Sequence, residues 1–244
     1  MKLSFETAAP GSQATEASIA RHIRPKAILC ENVKGLVAHN RGRTFKTIRD
    51  AFADIGYKVH HAILNSKDFG LAQSRERVYI ICFRNDIDDA AFASPHTQPR
   101  AEPVKIADIL EPAPIPSKYY LSDTYLQFCR QHRARHEGKG NGFGYVIRDV
   151  NGIAGALVGG GMGRERNLIV DHRPHSRTPT SNIKGRVNDE DVRKLTPREW
   201  ARLQGFPDSF KLPVSDSQLY KQLGNTVSVN VIELIAKSIR RIVL

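Results

Sequence analysis

Acid is the scarce kind of charge in this chain. Its 244 residues hold 25 Asp plus Glu against 37 Lys plus Arg, a formal net charge of +12. Such a surplus favours a polyanionic partner, although charge alone leaves open a basic protein with no nucleic-acid role. Cysteine is nearly absent too. Cys30, Cys82 and Cys129 stand far apart, no Cys-x-x-Cys occurs, and the odd count argues against a disulfide framework. No apolar run approaches the roughly 18 residues of a membrane span. Residues 1–18, MKLSFETAAPGSQATEAS, lack the apolar core of a signal peptide and read as a loose arm. No internal repeat occurs. The stretch GGGMGRER lacks the Gly-Lys-Ser/Thr ending of a phosphate-binding P-loop. HRARH and HRPH contain no cysteine or carboxylate themselves, so no metal site is expected.

What is present is an ordinary globular composition, 40% hydrophobic and 25% charged. AILCENV, near the start, is apolar at almost every position, as in a parallel strand covered on both faces. Phe45, Ile48, Phe52 and Ile55 then recur at three- and four-residue steps, and Gly56 offers a stop. KVHHAIL and RVYIICF read as two further strands, which makes an α/β layer. The character changes after Phe83, where RNDIDDAAFASPHTQPRAEP is polar and proline-bearing. From Lys118 to Val192 glycine is dense and strands look short. A third change comes at Leu195: Thr196 is an N-cap, Pro197 the first helical residue, Glu199 the capping-box partner and Gly205 the stop. DSQLYKQLGN and VSVNVIELIAKSIRRIV read as two closing helices. The expected organisation is an arm over 1–18, an α/β half-domain over 19–95, a small irregular β-rich domain over 96–192, and closing helices over 193–244.

The first strand stops on Glu31 and Asn32, and ligands of open α/β sheets bind beyond the carboxyl ends of strands. A carboxyl there suits chemistry on a cytosine ring. Attack by a nucleophile at C6 pushes negative charge into the ring, which an acid at N3 neutralises, while cationic donors hold O2 and the flanking phosphates. In QSRERVYII, Arg75 and Arg77 fall on one face at period two and could form such a clamp, although a solvated charge run is the blander reading.

ENVKGL, NSKDFGLAQSRERVYII, RKLTPREWARLQGFPDSFK and YKQLGNTVSVNVIELIA, in this order and spacing, resemble the C-terminal half of DNA (cytosine-5) methyltransferases. The resemblance covers roughly residues 19–244 and is weaker in the middle. It implies the last three strands of a Rossmann-like methyltransferase sheet plus a target recognition domain. Glu31 resembles the acid at N3 of a flipped cytosine, with Asn32 shaping the turn beside it. Arg77 resembles the arginine at O2, and Arg75 its neighbour holding the active-site loop and phosphate. Asn225 and Thr226 resemble a Gly-Asn-Ser-Val motif that helps bind S-adenosylmethionine, with Thr in place of Ser. Gln73, Arg164 and Arg166 are the candidates for duplex DNA contacts, the two arginines from glycine-rich loops that permit close approach. Trp200, Leu203 and Phe206 read as core.

The family nucleophile sits in a Pro-Cys pair upstream of Glu-Asn-Val. No Pro-Cys occurs here, nor a Phe-x-Gly-x-Gly turn for the cofactor. Cys30 should point to the face opposite Glu31 and serve packing. The expectation is an incomplete enzyme, either a split subunit completed by a second chain with the first half or a truncated product, inactive alone and cytoplasmic at the nucleoid. A DNA-binding module without catalysis is the alternative.

Overall fold

The computed structural model of the chain describes residues 13–95, 103–142, 144–175 and 185–244. Helix α1 spans Gln13–Ile23, strand β1 Ala27–Val33, α2 Arg43–Asp54 and β2 Tyr57–Asn65. Then come β3 (Gln73–Ser74), β4 (Glu76–Arg84), α3 (Asp123–Glu137), β5 (Ala154–Gly155), β6 (Leu168–Val170) and β7 (Val192–Lys194). Helices α4 (Pro197–Leu203), α5 (Asp216–Asn225) and α6 (Val229–Val243) close the chain. Most of the expected N-terminal arm lies outside the described residues, and α1 begins within its last part.

Contacts divide the chain into two units. The first holds residues 1–69, 76–99 and 230–244, the second 70–75 and 100–229. In the first, the strand order is β1-β4-β2, and β4 pairs antiparallel with both neighbours. The parallel pairing expected for β1 is therefore corrected. β1 and β2 do run the same way, joined by α2, but β4 returns in the opposite direction and inserts between them. The fully covered strand is this central one, with Val78 to Phe83 all at most 2% exposed, whereas β1 alternates between buried and half-buried positions. Phe45, Ile48 and Phe52 of α2 pack against Ile28, Cys30, Val78, Ile80 and Cys82. Tyr79, Ile81 and Phe83 point the other way, onto Val231 and Ile235 of α6. Covering each of these large side chains contributes roughly 1.5–3 kcal/mol. Gly56, at φ 85°, makes the left-handed turn out of α2 that a residue with a Cβ resists.

The second unit has short strands in two pairs, β3 with β5 in parallel and β6 with β7 antiparallel. Its core gathers Trp200, Leu203, Leu219, Tyr220 and Leu223 with Ile106, Leu157 and Ile169. The Trp200 and Tyr220 rings meet edge to face at 4.8 Å. Phe206 is partly buried against the same cluster. Helix α4 starts as its sequence dictates: the Thr196 side chain accepts from the Glu199 amide, and the Glu199 carboxylate accepts from the Thr196 amide. One element departs from the expectation of an irregular β domain. The 15-residue helix α3 lies inside it, capped by the Ser122 side chain, which accepts from the Tyr125 amide. Leu126 and Cys129 are its buried residues, and this narrow stripe within a run of Arg, His and Gln hides the helical period.

Candidate functional site

On β1, Glu31 lies opposite Tyr79 of β4, and Val33 lies opposite Arg77. Glu31 and Arg77 are thus diagonal neighbours on one face of an antiparallel pair, within reach for long side chains. Arg77 Nε stands 3.1 Å from Glu31 Oε1, and the two side chains are only 17% and 10% exposed. Among the described residues Glu31 Oε1 makes no aligned hydrogen bond. The pair is therefore an ion contact with bonding capacity left over, close to solvent at the carboxyl end of the strand. Arg77 Nη1 donates to the Glu76 carbonyl at 2.8 Å, which steadies the guanidinium. Beside it, Asn32 Oδ1 accepts from the Val33 amide at 2.8 Å and shapes the exit from the strand. Lys34 and Glu76 form an exposed ion pair at the same end.

Cys30 projects to the other face and is 1% exposed among Phe45, Ile48 and Ile80. Cys82 and Cys129 are also fully covered. Burial pushes the Cys82 thiol far up, with the neighbouring Cys30 adding to it, and pushes Cys129 up to about 11. Buried, protonated thiols are inert as nucleophiles.

The sequence placed Arg75 and Arg77 on one face as a joint clamp. In the structure their donors have different partners. Arg75 is 4% exposed. Its Nη1 donates to the Leu157 carbonyl at 2.9 Å, and its Nη2 to the carbonyls of Gly224 at 3.2 Å and Thr226 at 3.0 Å. It brackets backbone of the second unit. Gln73, expected on DNA, is wholly buried, its Nε2 donating to the Leu203 carbonyl and its Oε1 accepting from the Leu157 amide, both at 2.9 Å. Both ends of this covered amide are engaged within the second unit. Gln204, also buried, donates to the Leu223 carbonyl at 2.8 Å.

Asn225 is the last residue of α5, and its side chain is exposed; Thr226 is half-buried. Neither side chain has a hydrogen-bond partner among the described residues, so an amide and a hydroxyl are available to a polar ligand such as the ribose or amino-acid part of a cofactor. Their backbone is fixed from behind by Arg75. Gly224, just before them, touches the glycine-rich loop: a Cβ there would come within 2.3 Å of the Gly159 amide nitrogen. Only glycine fits this crossing, which no spacing in the sequence announces. Arg164 and Arg166 lie in a short 3-10 turn after the glycines, both half-buried. The Arg164 guanidinium sits 5.4 Å from the Tyr220 ring centre.

A buried charge network also escaped sequence reading. Arg193 donates from Nη1 and Nη2 to the two Glu199 oxygens at 2.8 Å each, and from Nε to Asp171 at 2.6 Å. Arg173 closes on the same Asp171 at 2.8 Å. Burial would raise the Asp171 carboxyl, but the hydrogen bonds from Arg173 and Arg193 hold it well below the usual range. The only trace in sequence was the capping role of Glu199.

With the geometry described, comparison with known proteins adds a context. The model of the C-5 cytosine-specific DNA methylase family matches residues 14–241. The Type II methyltransferase M.HpaII of Haemophilus parainfluenzae is 54% identical over 225 residues, covering 91% of this chain and 62% of its own length. M.NlaX of Neisseria lactamica is 37% identical over 217 residues, covering 89% and 63%. M.HhaI of Haemophilus parahaemolyticus is 34% identical over 234 residues, covering 91% and 65%. The chain thus spans less than two thirds of each of these relatives. Among solved structures, the S. pombe Dnmt2 methyltransferase superposes with TM-score 0.62 at 21% identity, covering 90% of this chain and 69% of the other. The Entamoeba histolytica methyltransferase EhMeth gives 0.63 at 19%, covering 93% and 69%. At these identities the likeness establishes the fold.

Proposed function

Because the chain belongs to the C-5 cytosine-specific DNA methylase family, we propose that it serves methyl transfer from S-adenosylmethionine to C5 of a cytosine flipped out of duplex DNA. The observation that carries this reading is the Glu31–Arg77 pair at the carboxyl end of β1, inside the matched segment. Glu31 offers a carboxyl to ring N3 and the exocyclic amine. Its contact strengthens as attack at C6 drives charge into the ring, so it acts on the transition state more than on binding. Arg77, steadied through Glu76, presents a cation to O2 and holds Glu31 in register. Asn32 fixes the strand exit that aims both.

S-adenosylmethionine supplies the electrophilic methyl group. Asn225 and Thr226 are the residues of this chain that would hold it, their backbone braced by Arg75. Arg164 and Arg166 are the candidates for DNA contact. The nucleophile is a separate matter: Cys30, Cys82 and Cys129 are all buried and none adjoins Glu31 on its own face. Residues 1–244 by themselves are therefore proposed to be inactive. The Pro-Cys loop and the glycine turn would come from outside these residues, on a second chain as in a split enzyme or on a longer form of the protein of which these residues are a truncated product. Among the described residues no helix is long and apolar enough to cross a membrane. A cytoplasmic setting at the nucleoid is part of this proposal and rests on the bacterial relatives.

The test is transfer of labelled methyl groups to duplex DNA by the chain alone and after addition of the first half of a family member. We expect transfer only in the mixture. In that mixture Glu31→Gln should lower turnover by roughly a hundredfold or more while DNA affinity holds. Unchanged turnover would remove Glu31 from the chemistry, and robust transfer by the lone chain would overturn the incompleteness.

A further inference from the structure

The HRARH stretch, which the proposed chemistry leaves unused, forms one wall of a groove. Residues 132–136 lie on α3, so His132 and His136 stand one turn apart on one face, their ring centres 4.4 Å apart. The groove has a volume of about 390 Å³ and is further lined by Gly144, Val158, Met162 and Arg166. Among the described residues no carboxylate lines it. No set of three His, Cys, Asp or Glu suited to a metal ion occurs among the described residues.

The charges around it are unbalanced. The Arg166 guanidinium has no hydrogen-bond or ion-pair partner among the described residues, although the side chain is half-buried. Arg148, whose Nε reaches the Arg166 carbonyl, has its cation disfavoured by burial and by the charge of Arg166. The acids nearby are spent elsewhere: Glu137 on Arg133 at 2.7 Å, Glu165 on the Tyr125 hydroxyl at 3.0 Å, and Glu190 on Arg130 at 2.6 Å. The Arg133 guanidinium also covers the Tyr145 ring. His132 Nδ1 is buried with no hydrogen-bond partner among the described residues. The groove therefore has donors and spare positive charge.

We propose that His132, His136 and Arg166 form a phosphate-binding groove that grips the backbone of duplex DNA in a pH-dependent manner. The ligand class follows from the donors, a guanidinium and two protonatable rings, which suit an oxyanion. The apolar lining from Val158 and Met162 suits the sugar beside it. The choice of a DNA diester over free phosphate rests on the proposed DNA substrate. It makes the DNA contact of Arg166 one to the backbone, the commoner kind.

The experiment follows binding of a labelled duplex of arbitrary sequence to the 244-residue chain by fluorescence anisotropy, over a salt series at about pH 6 and about pH 8, on either side of the imidazole range. In wild type the plot of log affinity against log salt should be steeper at the lower pH by up to about 2, one for each charged imidazole facing a phosphate. The H132Q/H136Q variant should lose that difference and keep the slope seen at the higher pH. Arg166→Gln should lower the slope by about 1 at both pH values, and Arg166→Lys should restore it. A merely structural role would change none of these slopes in a pH-selective way. A pH difference that survives in H132Q/H136Q, or its absence in wild type with DNA binding intact, overturns the groove and leaves the family reading standing. No binding of duplex at either pH overturns both the groove and the DNA role of this unit. A parallel titration with inorganic phosphate, read by the histidine ring NMR signals at matched ionic strength, separates the sources. Shifts with duplex but not with phosphate at equal phosphorus concentration support a backbone grip. Equal shifts with phosphate alone overturn it in favour of a free-phosphate site.

Discussion

In the three-stranded sheet the most deeply covered run is Val78 to Phe83, three aliphatic residues with one cysteine, one phenylalanine and one tyrosine. In the second unit the wholly covered side chains include Gln73, Arg193, Glu199 and Gln204. The first unit hides hydrocarbon behind a regular ladder. The second, with strands of only two or three residues, ties irregular backbone together through buried polar side chains. That difference has a physical source. Irregular segments leave amides and carbonyls that no ladder satisfies, and each one left unpaired in the interior costs stability. Arg75, which donates to three carbonyls, and Gln73, which uses both ends of its amide, replace the missing ladder. Apolar packing tolerates repacking, whereas a polar bracket fails when one partner goes.

The largest test of this contrast is Arg193→Met. It leaves Glu199 buried without its cation and Asp171 with Arg173 alone, and breaking such a buried pair costs roughly 3–5 kcal/mol. Hydrogen exchange should accelerate across β6, β7 and α4 and stay slow in β4. Uniform acceleration in both units would show that the network is not local to the second. The same network sets an acid limit. The folded-state pKa of Asp171 lies below its unfolded value, so its contribution is complete above the unfolded value, near 4, and disappears as pH falls through the folded one. Thermal melts of wild type should therefore fall below about pH 4, with a shallower fall in Asp171→Asn, whose starting stability is already lower.

Next comes Ile80→Ala at the centre of β4. The side chain is 0% exposed between Cys30 and Val78 on the α2 side, and its loss leaves a cavity worth roughly 3 kcal/mol. Here exchange should quicken in β1, β2 and β4. A change confined to the second unit would break the comparison.

The same division governs what could be read in the sequence. β4, α2, α5 and the start of α4 announced themselves by period, by cap or by stop residue, because their stability is local or one-faced. Cys30 was legible as packing for the same reason, since alternation alone puts it opposite Glu31. The pairing of β1 was misread as parallel, because an apolar run looks alike in either orientation and the direction depends on where β4 inserts. Helix α3 was hidden by its polar surface. Gln73 and Arg75 were legible as unusual residues but not as structural ones, because Leu157, Gly224 and Thr226 are some 80 to 150 positions away in sequence. The Glu31–Arg77 pair needs only the register of two strands, and the likeness to known methyltransferases marked both residues.

A smaller effect is expected from Arg75→Met. The thioether fills part of the volume but leaves the carbonyls of Leu157, Gly224 and Thr226 without their donor, at roughly 1–3 kcal/mol. Its local reading is distinctive. Amide exchange should rise at residues 157–160 and 224–228, with little change around Arg193. If exchange stayed unchanged there, the bracket would not be what holds the Gly-Asn-Thr turn against the glycine loop.

The smallest is Thr196→Ala. The Thr196 hydroxyl accepts from the Glu199 amide at 3.2 Å and donates to the Glu111 carboxylate. Losing a cap of this kind costs about 1 kcal/mol. The cost should stay small because the other half of the box survives: Glu199 still accepts from the amide of residue 196, and Arg193 still holds Glu199 in place. Thr196→Ser, which keeps the hydroxyl, should recover most of the loss in a denaturant titration. A loss as large as that of Arg193→Met would mean that the cap and the ion network act as one element. The second unit would then depend on the start of a seven-residue helix as heavily as on its most buried charge.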